Sequence, residues 1–267
     1  MSRVNVRRAY ADGRFGQIHF RIARPAAETA KPPLLCFHMS PNSGRIYQNF
    51  IAAMGTDRIA VAPDTPGFGD SDPPSSPPGI EDYAGAMGDL MDTLKLRNVD
   101  VMGYHTGSET CTALALARPD QVRKLVLTSA PIFTDEELKQ FRAHYAQEPI
   151  MEDGSHLVRK WKGHLHWCGP GKTKEMLAEE FCDALRNPQI SFWGHRAAFS
   201  YDMGGQLPKV KQPVLVLNPD DDLYTQSLRA DGKMRNGRIL HLKGWGHGYL
   251  DVHTDEAARL VRAFLDS

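Results

Sequence analysis

Val99-Asp100-Val101-Met102-Gly103-Tyr104-His105-Thr106-Gly107 is the stretch on which the fold turns. Val99 to Met102 reads as a buried strand, and Ser108 to Arg118, rich in alanine and leucine and stopped by Pro119, reads as a helix. Gly103 and Gly107 stand two residues either side of His105. A sharp strand-to-helix turn brings the two backbones so close that a Cβ has no room, and glycine meets that demand at both positions. The stretch therefore predicts strand, tight turn and helix, with His105 carried at the apex.

The same alternation continues on both sides. Val4 to Tyr10 and Phe15 to Ile22, either side of Asp12-Gly13, predict a hairpin. Short apolar runs at Leu34 to Phe37, Ile59 to Ala62, Lys124 to Leu127, Val214 to Leu217 and Ile239 to Leu242 predict strands. Helices are expected over Ile46 to Met54, Tyr83 to Leu94 and Thr254 to Leu265. Alternating strands and crossover helices predict the α/β class, with a mostly parallel twisted sheet covered on both faces. Ligands gather at the carboxyl ends of such strands. From about Pro131 to Pro208 the strand rhythm stops, and helical segments rich in aromatic residues and histidine take over. The expected organisation is a core of residues 1–130 and 209–267 with a helical insertion at 131–208.

Composition narrows the partners. Thirty-two basic residues balance thirty-two acidic ones, so bulk charge favours neither nucleic acid nor an anionic membrane. A small-molecule substrate is expected, and a homodimer is compatible with this composition. Met1 to Tyr10 has basic residues but no apolar run behind them, and no segment approaches the roughly 18 apolar residues of a membrane span. The cytoplasm is the expected compartment. Cys36, Cys111, Cys168 and Cys182 lack CxxC spacing, which suits reduced thiols better than a disulfide frame.

The chain resembles the α/β-hydrolase superfamily over essentially its whole length. The resemblance is carried by ordered pieces: Phe37-His38 and the loop to Gly44; Asp64 to Asp72; the Gly103 to Gly107 turn; Leu217 to Asp221; and Gly244-Trp245-Gly246-His247. The turn has the spacing of the superfamily's G-x-S-x-G nucleophile elbow, with His105 where the serine stands. The resemblance implies a triad in the order nucleophile, acid, histidine, matching His105, Asp221 and His247. Asp221 is favoured over Asp220 and Asp222 by its spacing from Asn218, and is expected to orient His247. It also implies an oxyanion hole from the Thr106 N–H with an N–H of Met39 or Ser40, and a substrate-selecting cap made by residues 131–208.

Three chemistries compete for His105. A neutral imidazole can attack an acyl carbon or act as a base, which points to hydrolysis of an ester-like or activated carbonyl substrate. Two imidazoles could instead shuttle protons for lyase chemistry, a C–C cleavage or retro-aldol step without an acyl-enzyme. A receptor that binds a small molecule without turnover is the third. Ser108 is expected to cap the following helix and Ser40 to approach the pocket floor, while His38 fixes its loop. His164, His166 and His195 do not have the i, i+4 spacing of a helical metal site, so neither metal nor cofactor is expected. Aromatic residues of the insertion, Trp161, Trp167 and Trp193 among them, are the expected substrate contacts, which suggests an apolar or aromatic ligand.

Overall fold

The alternating apolar runs form one eight-stranded sheet. The computed structural model of the chain describes residues 3–267, so the first two residues of the Met1 to Tyr10 stretch lie outside the described residues. In chain order the strands are β1 (Arg7–Gly13), β2 (Gly16–Ala23), β3 (Leu34–Phe37), β4 (Ala60–Pro63), β5 (Val99–Tyr104), β6 (Val122–Thr128), β7 (Val214–Pro219) and β8 (Gly237–Leu242). Across the sheet they run β1-β2-β4-β3-β5-β6-β7-β8. β2 pairs antiparallel with β1 and β4, and all other pairings are parallel. The hairpin differs from expectation in its turn. Pairing continues to Gly13 opposite Gly16, and Gly16 has a φ of +113°, so the glycine beyond Arg14-Phe15 closes the hairpin rather than Asp12-Gly13.

A short 3₁₀ turn at Gly44–Tyr47 leads into α1 (Gln48–Met54), and α2 (Ile80–Thr93) and α3 (Thr106–Ala117) flank β5 in the chain. Between β6 and β7 come α4 (Asp135–His144), α5 (Ser155–His166), α6 (Lys174–Ala184), α7 (Trp193–Ala198) and α8 (Met203–Gln206), with no named strand among the described residues. After β7 follow α9 (Tyr224–Leu228), α10 (Tyr249–Val252) and α11 (Thr254–Leu265). α2 begins three residues earlier than its apolar periodicity suggests, because the Asp82 carboxylate accepts the Gly79 N–H at 2.9 Å and closes the first turn.

Strand periodicity divides the core into two layers. Leu35, Phe37, Val99, Val101, Leu125, Leu127, Val214 and Val216 face α2 and α3, where they meet Met87, Leu90 and Leu114. Their neighbours Leu34, Cys36, Met102, Tyr104, Val126, Leu215 and Leu217 face the other way, onto Phe50, Met54, Val261 and Phe264 of α1 and α11. Successive side chains of a strand point to opposite faces, so a run apolar at every position must be covered twice. No helix of the described residues is long and apolar enough to cross a membrane.

One core group stands apart. Glu109, in the first turn of α3, is fully buried, and neither carboxyl oxygen has a hydrogen-bond partner. Burial, with Glu81 adding to it, pushes its pKa well above 4.5. An acid whose pKa is raised by folding loses least stability below its unfolded pKa, and costs more as pH rises above it. Glu109→Leu is therefore expected to raise stability by about 1–3 kcal/mol at pH 7, the cost of an unsatisfied buried polar group. Urea melts should show the gain widening from pH 4 to pH 8; a gain that shrinks over that range would refute the account.

The α4 to α8 segment is fastened by polar contacts to the loops that follow β3 and β4. Asp183 of α6 accepts the Ser43 N–H at 3.0 Å and its hydroxyl at 2.7 Å. Arg45 donates to Glu179 at 2.6 Å, Asn187 to the Gly67 carbonyl at 3.0 Å, and Arg186 pairs with Asp70.

Candidate active site

β5 ends at Tyr104 and α3 begins at Thr106, which leaves His105 alone in the turn with φ +49° and ψ −110°. A non-glycine residue with positive φ is strained, and the packing around it must hold it there. Gly103 and Gly107 provide that packing. A Cβ on Gly103 would lie 2.2 Å from the Gly107 carbonyl carbon, and one on Gly107 would lie 2.0 Å from the Phe37 oxygen of β3. Ser108 differs from its expected capping role. Its hydroxyl donates to the carbonyls of Gly103 at 3.1 Å and Thr128 at 3.0 Å, so it ties α3 back to β5 and β6.

Three consecutive aspartates after β7 take three different partners. Asp220 accepts the Gly244 N–H at 2.7 Å, and its own N–H donates to the Trp245 carbonyl at 2.6 Å, which holds the loop leading to His247. Asp221 accepts from Nε2 of His105 at 2.8 Å, from the Ser129 hydroxyl at 3.1 Å and from the Leu223 N–H at 3.0 Å. Asp222 accepts from Nε2 of His247 at 2.7 Å. The structure thus gathers His105, Asp221 and His247, but it corrects the expected pairing: Asp221 holds His105, and His247 belongs to Asp222. The reason is the turn. Asp221 bends back to donate its N–H to the Pro219 carbonyl at 2.9 Å, and its side chain goes to the buried Ser129 side while the next residue faces the His247 loop.

The two imidazoles sit 5.3 Å apart between ring centroids, with planes at 83°. Tyr104 packs beside both, edge-on to His105 at 4.7 Å and stacked on His247 at 6.0 Å. Gly169, just past α5, donates its N–H to the His247 carbonyl at 3.2 Å and clasps that loop from outside. A carboxylate can only accept, so Nε2 of each ring carries the hydrogen. Nδ1 of His105 makes no hydrogen bond among the described residues, and its lone pair is free. Burial pushes the Asp222 pKa up, but His105 and the hydrogen-bonded His247 outweigh it and hold the carboxyl far below its ordinary range. Burial likewise opposes charge on His247, yet Asp222, then Asp221 and Glu180, leave its pKa raised.

His105 opens on a cavity of about 40 Å³ lined by Ser40, Thr106, Phe133, Phe141, Tyr145, His195, Phe199 and Asp222, with Pro131, Ala198 and Leu223 completing the wall. That volume is room for roughly three waters. Burial lowers the His195 pKa to about 4, so it presents a neutral ring at pH 7, and burial raises that of Tyr145 to about 12. Thr106, first in α3, has the unpaired N–H that a helix start leaves over. Ser40 and Thr106 border the cavity, whereas Met39 is not part of its wall.

The three tryptophans stand elsewhere. Trp161 packs edge-on against Phe181, Trp167 is 46% exposed and 6.4 Å from the His247 ring, and none of the three, Trp193 included, lines the cavity. Ring type in a sequence does not say which face of a short helix looks inward. The wall is made instead by Phe133, edge-on to Phe199, by Phe141 stacked on Phe199, and by Tyr145 stacked on His195 and tilted to Phe199. His38 is fully occupied: Nδ1 donates to the Met39 carbonyl at 2.9 Å and Nε2 accepts the Thr65 N–H at 2.9 Å.

Residues 32–148 match the family model described as the alpha/beta hydrolase fold. Among curated proteins, the fluoroacetate dehalogenase of a Burkholderia species is 27% identical over 266 residues, covering 88% of this chain and 87% of its own. The haloalkane dehalogenase 2 of Mycobacterium tuberculosis is 34% identical over 117 residues, 43% of this chain and 39% of that one. The crystal structure of the enol-lactonase from Burkholderia xenovorans LB400 superposes with a TM-score of 0.82 at 22% identity, covering 97% of this chain and all of that one (100%). By its sheet, its helices and these likenesses, the chain has the α/β-hydrolase fold.

Proposed function

We infer that the protein hydrolyses a small carbonyl or ester-type substrate with an apolar or aromatic face, and that His105 stands at the superfamily's nucleophile position. The observation that carries this reading is the 2.8 Å hydrogen bond from His105 Nε2 to Asp221, which leaves Nδ1 with a lone pair on a ring that lines an aromatic-walled cavity. Nδ1 attacks the acyl carbon, the N–C bond forms as the carbonyl π pair moves onto its oxygen, and return of that pair breaks the bond to the leaving oxygen. Asp221, with no exposed side-chain surface, balances the positive charge that grows on the ring. The N–H groups of Thr106 and Ser40 receive the oxyanion. His247, whose ring centroid lies 5.3 Å from that of His105, supplies a proton to the leaving oxygen and takes one from the water that later splits the acyl-imidazole. The α4 to α8 segment is the cap, and it must open, because 40 Å³ is far below the roughly 300 Å³ at which ligand pockets begin. The relative named for fluoroacetate supports a small substrate.

A second reading has its own observation. Each imidazole has its own carboxylate, so one ring can give a proton while the other takes one, as lyase-type cleavage without an acyl-enzyme requires. Small aryl esters separate the two. The parent is expected to release phenol with a burst and to yield an acyl group trapped by hydroxylamine. Asp221→Asn is expected to fold normally and to lose about ten-thousand-fold in kcat, since an amide can present its NH2 to Nε2 and reverse the tautomer. Full activity in Asp221→Asn, with loss confined to Asp222→Asn, would shift the reacting imidazole to His247.

A further inference from the structure

The two histidine–aspartate pairs converge on one point. One ligand atom from each of His105, Asp221, Asp222 and His247 lies within 4.8 Å of the others. The pairwise separations include 2.8 Å from His105 Nε2 to Asp221 Oδ2, 2.7 Å from His247 Nε2 to Asp222 Oδ1, and 3.9 Å from His105 Nε2 to Asp222 Oδ1. Four ligands at about 2.1 Å from a tetrahedral zinc ion are about 3.4 Å apart. The hydrogen-bonded separations are shorter than this and the cross separation longer, with none above 4.8 Å, so shifts of at most about 0.7 Å per atom would equalise them around a central ion. Two imidazole nitrogens and two carboxylates also form a donor set that suits zinc.

We propose that a divalent zinc-class ion binds between the two pairs, held by Nε2 of His105 and His247 and by the carboxylates of Asp221 and Asp222. Binding the ion also disables the proposed imidazole chemistry. With zinc on Nε2, the single proton of a neutral ring must sit on Nδ1, so the Nδ1 lone pair becomes an N–H. For His105 that proton moves from Nε2 to Nδ1 through solvent and none is lost; for His247 any second proton on the ring is released. The ion is therefore an inhibitor that acts by fixing the unreactive tautomer. The site stands on geometry alone, and only the inhibition rests on the reading of His105 as the reacting group.

Binding is tested without substrate. The chelator-treated full chain is titrated with zinc by calorimetry, and one ion per chain at micromolar affinity or tighter is expected. Asp222→Ala and His247→Ala should weaken it about 100-fold, while the double change His164→Ala/His166→Ala on α5 leaves it unchanged. No stoichiometric binding, or loss only in the α5 variant, overturns the site. Should Asp222→Ala fail to fold, cobalt in the parent replaces it as the measure: strong visible absorption of four-coordinate cobalt supports the site, and a weak six-coordinate spectrum overturns it. Imidazole 15N spectra should show the His105 hydrogen moving from Nε2 to Nδ1 with one equivalent of zinc; an unmoved hydrogen overturns the inhibition. If zinc binds and the tautomer switches but an ester-hydrolysing parent is not inhibited, the site stands and the reading of His105 fails.

Discussion

His105→Ala keeps its fold and loses turnover by roughly a thousandfold or more, the expectation for removing a nucleophile whose neighbours are preorganised. The fold survives because the turn depends on Gly103 and Gly107, whose close approaches do not involve the imidazole. His105→Ser is the more telling change. It restores a hydroxyl at the turn while the 2.7 Å hydrogen bond from His247 to Asp222 is already in place, so hydroxyl, imidazole and carboxylate would again be in line. New ordinary esterase activity is expected, and its acid should be Asp222. Adding Asp222→Asn to His105→Ser should abolish the gain, whereas adding Asp221→Asn should leave it. The opposite pattern on a chromogenic acetate ester would show that His247 changes partner once His105 is gone.

Gly107→Ala is expected to be the most damaging small substitution in the protein. Its Cβ would lie 2.0 Å from the Phe37 oxygen, 2.6 Å from the Phe37 carbonyl carbon and 3.0 Å from the His38 oxygen. These are backbone atoms of an interior strand and its exit, and β3 is hydrogen-bonded on both sides, to β4 and β5. Neither partner can yield without breaking the sheet, so the loss should exceed about 4 kcal/mol, beyond the ordinary range for point changes. Gly232→Ala is the control. Gly232 has a φ of +69° but nothing within 4 Å of its added Cβ, so only the left-handed conformation is charged, about 1–2 kcal/mol. Chemical melts of the two variants separate contact from conformation, and equal losses would show that the turn is looser than its distances say.

What was legible in the sequence is what sterics and periodicity enforce. The glycine pair predicted the turn because no other residue fits between two touching backbones, and every-position apolar runs predicted buried strands because both faces are covered. α11 falls on Thr254 to Leu265 as its pattern predicts. The pairing of the acids was not legible. Asp220, Asp221 and Asp222 are chemically identical, and only the turn back to Pro219 decides which side chain meets which ring. Nor was the cavity wall, since Phe133, Phe141, Tyr145 and Phe199 come from several turns of chain whose inward faces are set by packing on one another. Ser108 misleads for a related reason: a helix-start serine ordinarily caps its own helix, but here two strand carbonyls lie closer to its hydroxyl.

The narrow chamber beside His105 also gives the experimenter a ruler. A space of about 40 Å³ admits a handful of atoms with the helices over it at rest, whereas anything larger has to wait for them to part. In a graded series of ligands, the size at which entry slows marks the boundary between occupancy of a ready-made void and capture during a breathing motion. Such motions run on microsecond to millisecond scales, so that boundary turns a static volume into a clock for the helical segment that Asp183, Glu179 and Arg186 tie to the loops after β3 and β4.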